Sequence, residues 1–272
     1  MSKYHTVLRL EDGIFHLFEP SGVGCTLVLG QEKALLFDTG HGLGDLLGAV
    51  RSITDLPVVL VNSHGHIDHV GGNWQFASAY IHPADKELAE RHVSREKREW
   101  IIRMKFSDPK KLPENFSVDT YTSRTAGEWL PVEDGQSFEL GGRSLRVIHT
   151  PGHTHGCICL LDEQTRTLLT GDLVAPVTWM FLPESTTIGT FVQSLERLRE
   201  WDFEKIIVSH LAGILRRGFI DRMLQCARNI DVAGSRPFPT PLAENVLVYR
   251  EGGEPGTRGY VSIAYTRDKL DL

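Results

Sequence analysis

Cysteine is scarce in this sequence, basic residues are outnumbered, and no stretch is uniformly apolar. The four cysteines, Cys25, Cys157, Cys159 and Cys226, form no CxxC pair, so no disulfide framework is indicated. Cys157 and Cys159 fall on one face of an expected strand and read as small apolar packing residues. No apolar run approaches the roughly 20 residues that a membrane span needs. The first residues, MSKYHTVLRLEDG, contain no apolar signal-peptide core, which makes a cytoplasmic enzyme the expectation. With 29 Lys and Arg against 35 Asp and Glu, the formal net charge of −6 argues against a dedicated nucleic-acid surface. Internal repeats, low-complexity tracts and an obvious linker are also missing. What remains is an ordinary globular composition, 41% hydrophobic and 24% charged, able to bury a full core.

Against that plain background one stretch stands out, Val61-Asn-Ser-His-Gly-His-Ile-Asp-His-Val-Gly-Gly72. It follows the apolar run Val58 to Val61, which reads as a buried strand ending in a loop. Within six residues it places His64, His66, Asp68 and His69. His64 and His66 can converge on one metal ion, while Asp68 and His69 can turn towards a second. Imidazole and carboxylate suit zinc, and manganese and iron accept them too. Gly71 and Gly72 let the backbone turn sharply away.

The rest of the chain alternates strands and helices. Residues 4–38 carry four short apolar runs separated by Asp12-Gly13, Pro20-Ser-Gly22 and Gly30-Gln31, an antiparallel meander ending at Asp38. Helical spacing over 44–53 then leads to the Val58 strand, and a ligand loop at a strand's carboxyl end is where α/β proteins commonly place their sites. A charged helical stretch runs from Pro83 to about Phe106, with an apolar stripe of Leu88, Val93, Trp100, Ile101 and Met104. Two or three strands lie over 127–150, and a hairpin joins 157–162 to 166–170. An amphipathic helix follows from Thr190 to Trp201, then a strand Lys205 to Val208, a helix Phe219 to Val232, and two closing strands, Glu244 to Arg250 and Tyr260 to Tyr265.

The motifs HGHIDH (64–69), PGHTHG (151–156), TGD (170–172) and VSH (208–210), with LFDTG (36–40) upstream, together resemble the metallo-β-lactamase-fold hydrolase superfamily. The resemblance implies a four-layer αββα sandwich made by the whole chain, 1–272, as one domain. It also implies that the helical insertion over 83–115 covers the active site as a lid, a solvated outer helix being the alternative. By the same resemblance His153 completes a first site with His64 and His66, His210 completes a second with Asp68 and His69, and Asp172 bridges the two. Asp38 becomes the carboxylate behind the metal loop. His155 is left to the pocket or to support of a ligand, and Trp179, Met180 and Phe181 become a wall of the substrate pocket. Leu173 to Pro176 lack the tyrosine usual in acyl-homoserine lactonases, and the C-terminal region lacks the helical extension of glutathione thioesterases.

Two divalent ions, zinc first, would generate a metal-bound hydroxide at neutral pH. Asp68 and Asp172 would carry the chemistry beside it. The expected reaction is hydrolysis of an ester-like bond, a lactone, thioester or related small acyl compound. A phosphodiesterase or nuclease is the hydrolytic alternative, and a mononuclear-iron persulfide dioxygenase of the same fold the non-hydrolytic one. The expected partner is a small-molecule substrate, with no membrane, and a homo-oligomer is compatible with the sequence.

Overall fold

The computed structural model describes residues 4–257 and 259–271. Strands β1 (Thr6–Glu11), β2 (Ile14–Phe18), β3 (Gly24–Leu29) and β4 (Ala34–Phe37) form the antiparallel meander. Helix α1 (Leu46–Arg51) carries the chain to β5 (Val58–Val61), parallel to β4. The one-turn α2 (Ile67–Val70) precedes β6 (Ser78–Ile81). Then α3 (Pro83–His92), α4 (Arg95–Lys105) and α5 (Val118–Thr122) intervene before β7 (Glu128–Pro131), the last strand of a seven-stranded sheet in chain order.

A second sheet takes β8 (Ser137–Glu139), β9 (Ser144–His149), β10 (Ile158–Asp162) and β11 (Thr167–Leu169). After β12 (Val177–Met180) and α6 (Ile188–Arg199) it is completed by β13 (Lys205–Ile207) and β14 (Ile214–Arg216), in the order β14-β13-β11-β10-β9-β8. Helix α7 (Gly218–Arg228), β15 (Arg236–Pro237), β16 (Leu247–Glu251) and β17 (Val261–Tyr265) follow.

Strand alternation explains the layering. All four residues of β4 are buried, yet Leu35 and Phe37 pack against the second sheet while Ala34 and Leu36 pack under α1. In β10, Ile158 and Leu160 meet the first sheet, whereas Cys159 and Leu161 meet α6 and α7. Such strands are apolar on both faces because each face is covered. The result is the expected αββα sandwich, with α1 outside one sheet and α6 and α7 outside the other. Phe191, Leu195 and Leu198 form the buried stripe of α6, each stabilising by about 1.5–3 kcal/mol if fully transferred from water. All four cysteines are free and buried. Among the described residues, no helix is long and apolar enough to cross a membrane.

Three details differ from the sequence reading. The charged stretch after Pro83 is two helices, because the Ser94 Oγ accepts from the Lys97 amide at 3.2 Å and caps a new N-terminus. The closing strands do not extend either large sheet; with β12 and β15 they make a third, in the order β12-β17-β16-β15, and β12 runs parallel to β17. Helix α6 starts at Ile188 because Thr187 caps it through the Thr190 amide at 3.3 Å.

Candidate metal centre and active-site cavity

Four strands deliver the site to one edge. Strand β9 is antiparallel to β10, β10 to β11, and β11 is parallel to β13, so β9, β11 and β13 share a direction. Their carboxyl ends lead to His153, Asp172 and His210, and the end of β5 leads to His64. Two backbone features make the turns possible. Asp38 adopts φ +69°, a left-handed conformation that aspartate tolerates better than most residues. Gly171 adopts φ +55°, and a Cβ there would lie 2.6 Å from the Ser63 side chain, so the residue before Asp172 has no room for one.

Three imidazoles converge. His66 Nδ1 lies 3.0 Å from His64 Nε2 and 2.9 Å from His153 Nε2. The outer nitrogens face partners: His64 Nδ1 is 2.9 Å from the Ser63 Oγ, His66 Nε2 is 2.7 Å from Glu184, and His153 Nδ1 donates to the Trp179 carbonyl at 2.7 Å. With protons on the outer nitrogens, three lone pairs point at one another, a repulsive arrangement unless a cation lies between them. Burial, then the neighbouring imidazoles, hold the His64 pKa well below its ordinary value; burial and His66 bring His153 down to about 4. Both rings therefore present neutral, ligating nitrogens at neutral pH.

Beside them lies a second group. His69 Nδ1 donates to Asp38 at 2.8 Å, and Asp38 also accepts from the Ser63 amide at 2.7 Å and the Ser63 hydroxyl at 2.8 Å. That leaves His69 Nε2 buried without a hydrogen-bond partner, 3.3 Å from Asp172 Oδ2 and 3.9 Å from Asp68 Oδ1. His210 donates through Nδ1 to the Gly22 carbonyl at 3.0 Å, and its Nε2 faces Asp172 at 3.1 Å and Asp68 at 3.6 Å. Asp172 Oδ1 is likewise buried and unpartnered, while its Oδ2 comes within 3.9 Å of His153 Nε2. Burial would raise the Asp68 and Asp172 carboxyls, but the adjacent imidazoles, joined at Asp68 by the Lys105 ammonium, hold both well below the ordinary range. Burial would lower His69 and His210, but the carboxylates raise both. Orphaned buried atoms and this donor set suit divalent ions, with His64, His66 and His153 in one group, Asp68, His69 and His210 in another, and Asp172 between.

Several supporting residues carried no signal in the sequence. The buried Asp85 accepts from the Gly65 amide at 2.9 Å, the Thr154 hydroxyl at 2.6 Å and the Gly156 amide at 2.7 Å, tying two ligand loops together. Glu184 is the carboxylate behind His66; burial would raise its pKa, but the bond to His66 and the charge of that ring bring it down to about 2. His92 stacks on His66 with ring centroids 5.1 Å apart and accepts from the Ile67 amide at 3.0 Å. Arg98, unassigned from the sequence, is fully buried.

A cavity of about 510 Å³ opens over Asp68, Asp172 and His210, with an apolar wall that includes Trp100, Ile101 and Met104 from α4 and Val177, Trp179 and Leu242 opposite. Of the expected pocket residues only Trp179 lines it. In β12 the side chains alternate, so Val177 and Trp179 face the cavity while Thr178 and Met180 face the core. Phe181 packs with Val246, just before β16, and with Ala264 of β17. His155 is exposed and outside the cavity; its carbonyl accepts from His149 Nε2 at 2.9 Å.

Comparison with known proteins agrees with this geometry. Residues 19–210 match the family described as the metallo-beta-lactamase superfamily. Acyl-coenzyme A thioesterase MBLAC2 of Bos taurus is 31% identical over 241 residues, covering 81% of this chain and 84% of the relative. Among solved structures, a metallo-beta-lactamase from Pontibacter korlensis superposes with a TM-score of 0.62 at 17% identity, covering 83% of this chain and all of the other. TTHA1623 in a di-iron-bound form superposes at 0.56 with 23% identity, covering 75% and 95%. The chain belongs to the metallo-beta-lactamase superfamily and is an enzyme of its hydrolase type.

Proposed function

We propose that the chain hydrolyses acyl thioesters with the help of two divalent ions. His64, His66 and His153 would hold one, Asp68, His69 and His210 the other, and Asp172 would offer an oxygen to each. Bound there, the pair would supply a water whose pKa falls to about 7 and a Lewis acid for the carbonyl oxygen. Zinc fits this set best, and manganese and iron accept the same ligands. The chain's own contribution is positional. Asp38 fixes the His69 tautomer, Glu184 that of His66, and the Trp179 carbonyl that of His153. Asp68 faces the cavity, and its ionised carboxylate can accept a hydrogen bond from the attacking water and orient it. A thiolate is a good leaving group, so no further acid is required on the cavity wall.

One observation carries this reading: the cavity joins a floor of carboxylates and imidazoles to an apolar wall suited to an acyl chain. The acyl-coenzyme A thioesterase relative favours a thioester over the other ester-like bonds. The test is turnover of octanoyl-coenzyme A by zinc- and manganese-loaded protein, beside a lactone, a phosphodiester and a β-lactam. Thiol release that stops on chelation is expected. Turnover of the lactone or the phosphodiester alone overturns the proposal.

A further inference from the structure

Helix α4 turns one chemically distinctive face to the cavity. Lys97, Trp100, Ile101, Met104 and Lys105 recur at i, i+3, i+4, i+7 and i+8, the spacing of a single helical face, and all five line the cavity. The face is fixed in place by Arg98. Its Nε donates to the Val93 carbonyl at 3.1 Å, its Nη2 to the Gly71 carbonyl at 3.0 Å, and its guanidinium lies 4.8 Å over the Tyr121 ring. Gly71 directly follows α2, so α4 is tied to the turn that carries Asp68 and His69.

The two cations on this face have no acid of their own. The Lys97 ammonium lies 4.1 Å over the Trp100 ring. Burial lowers its pKa, and the acids that oppose the shift, Glu184 and Asp68, are engaged elsewhere, Glu184 with His66 and Asp68 beside His69 and His210. Lys105 is half-buried at the far end of the stripe, about 12 Å along the helix axis at 1.5 Å per residue. Among the described residues neither lysine has a carboxylate within 4.0 Å. Half-buried ammonium groups facing a cavity whose carboxylates, Asp68, Asp172 and Glu184, are each held against imidazoles are complementary to an anionic ligand.

We propose that α4 is the specificity wall of the cavity: Trp100, Ile101 and Met104 hold the acyl chain, while Lys97 and Lys105 select thioesters that carry an anionic group. That group is a phosphate on the thiol half or a carboxylate at the end of the acyl half. The proposal rests on the thioesterase reading above.

Three substrates separate the possibilities: octanoyl-coenzyme A, the neutral octanoyl thioester of N-acetylcysteamine, and the glutaryl thioester of N-acetylcysteamine. At least one anionic thioester should exceed the neutral one in kcat/KM by about tenfold or more, the scale of a charge-assisted contact. The double variant Lys97→Gln, Lys105→Gln should lose that preference, and Lys97→Arg, Lys105→Arg should keep it. Coenzyme A preference identifies the phosphate source and glutaryl preference the carboxylate source. Equal use of all three by the wild type, or an unchanged preference in the glutamine variant, overturns the proposal. Failure of the thioesterase reading itself would show as no hydrolysis of any of the three. Calorimetric binding of coenzyme A and of glutarate then reads the lysines independently: binding weakened by the glutamine substitutions supports their role, and equal or absent binding in both proteins refutes it.

Discussion

Replacing Glu184 probes how the first ion is held. Its carboxylate meets His66 Nε2 at 2.7 Å, while His66 Nδ1 faces His64 and His153, so the acid sets both the tautomer and the basicity of the ligating nitrogen. Loss of such a supporting carboxylate costs about 10- to 100-fold in metal affinity or activity, or roughly 1.4–2.7 kcal/mol. Glu184→Ala removes the acceptor and the charge and should show the full effect. Glu184→Gln retains an acceptor; because a charge-assisted bond is about twice as strong as a neutral one, roughly half the free energy should remain, a loss of about 3- to 10-fold. The carboxyl pKa of about 2 keeps the group ionised at every working pH, so the Gln effect should be the same at pH 6 and pH 8. Zinc titration against a competing chelator measures it, with two ions resolved per chain. Unchanged affinity of both ions in Glu184→Ala would refute the reasoning.

Alternation along β12 gives a paired prediction. Met180→Ala should destabilise by about 2–5 kcal/mol through loss of core packing, while Trp179→Ala should leave the urea midpoint nearly in place and raise KM for an octanoyl thioester; the reverse pattern would contradict the assignment of the two faces. A pH effect follows from His16, whose imidazole is buried and lowered to about 4 by burial and then His210. Below about pH 6.5 the unfolded chain takes up a proton that the folded one refuses, so stability falls as pH drops from 6.5 towards 4, by up to about 3 kcal/mol. Urea unfolding of chelator-treated protein should therefore show a smaller acid loss in His16→Gln than in the unsubstituted chain. His155→Ala, at an exposed position outside the cavity, should keep both ions; loss of one would place that histidine at the site.

The metal loop was readable because its chemistry is local. Four candidate ligands within six residues need only a strand before them, and β5 supplies it. His153, Asp172 and His210 were readable only as a set, through motifs in a familiar order. Asp85, Glu184 and Arg98 were not readable, since an acid in a helix's first turn, an acid after Pro183 and an arginine in a charged helix are each ordinary until the fold sets them against Gly65, His66 and Gly71. From the sequence Trp179, Met180 and Phe181 read as one apolar wall because nothing local marks Val177–Met180 as a strand. Its partner is β17, some 85 residues later, and only that pairing imposes the period of two that sends Trp179 outwards and Met180 inwards.

Asp172→Ala separates a bridged pair of ions serving thioester hydrolysis from any other arrangement of the site. Metal content by mass spectrometry and octanoyl-coenzyme A turnover should be measured on the same zinc-loaded sample. Two ions per unsubstituted chain are expected, with at least one ion lost in the variant and nearly all turnover lost with it. A variant that retains both ions and its turnover would show that Asp172 does not bridge them.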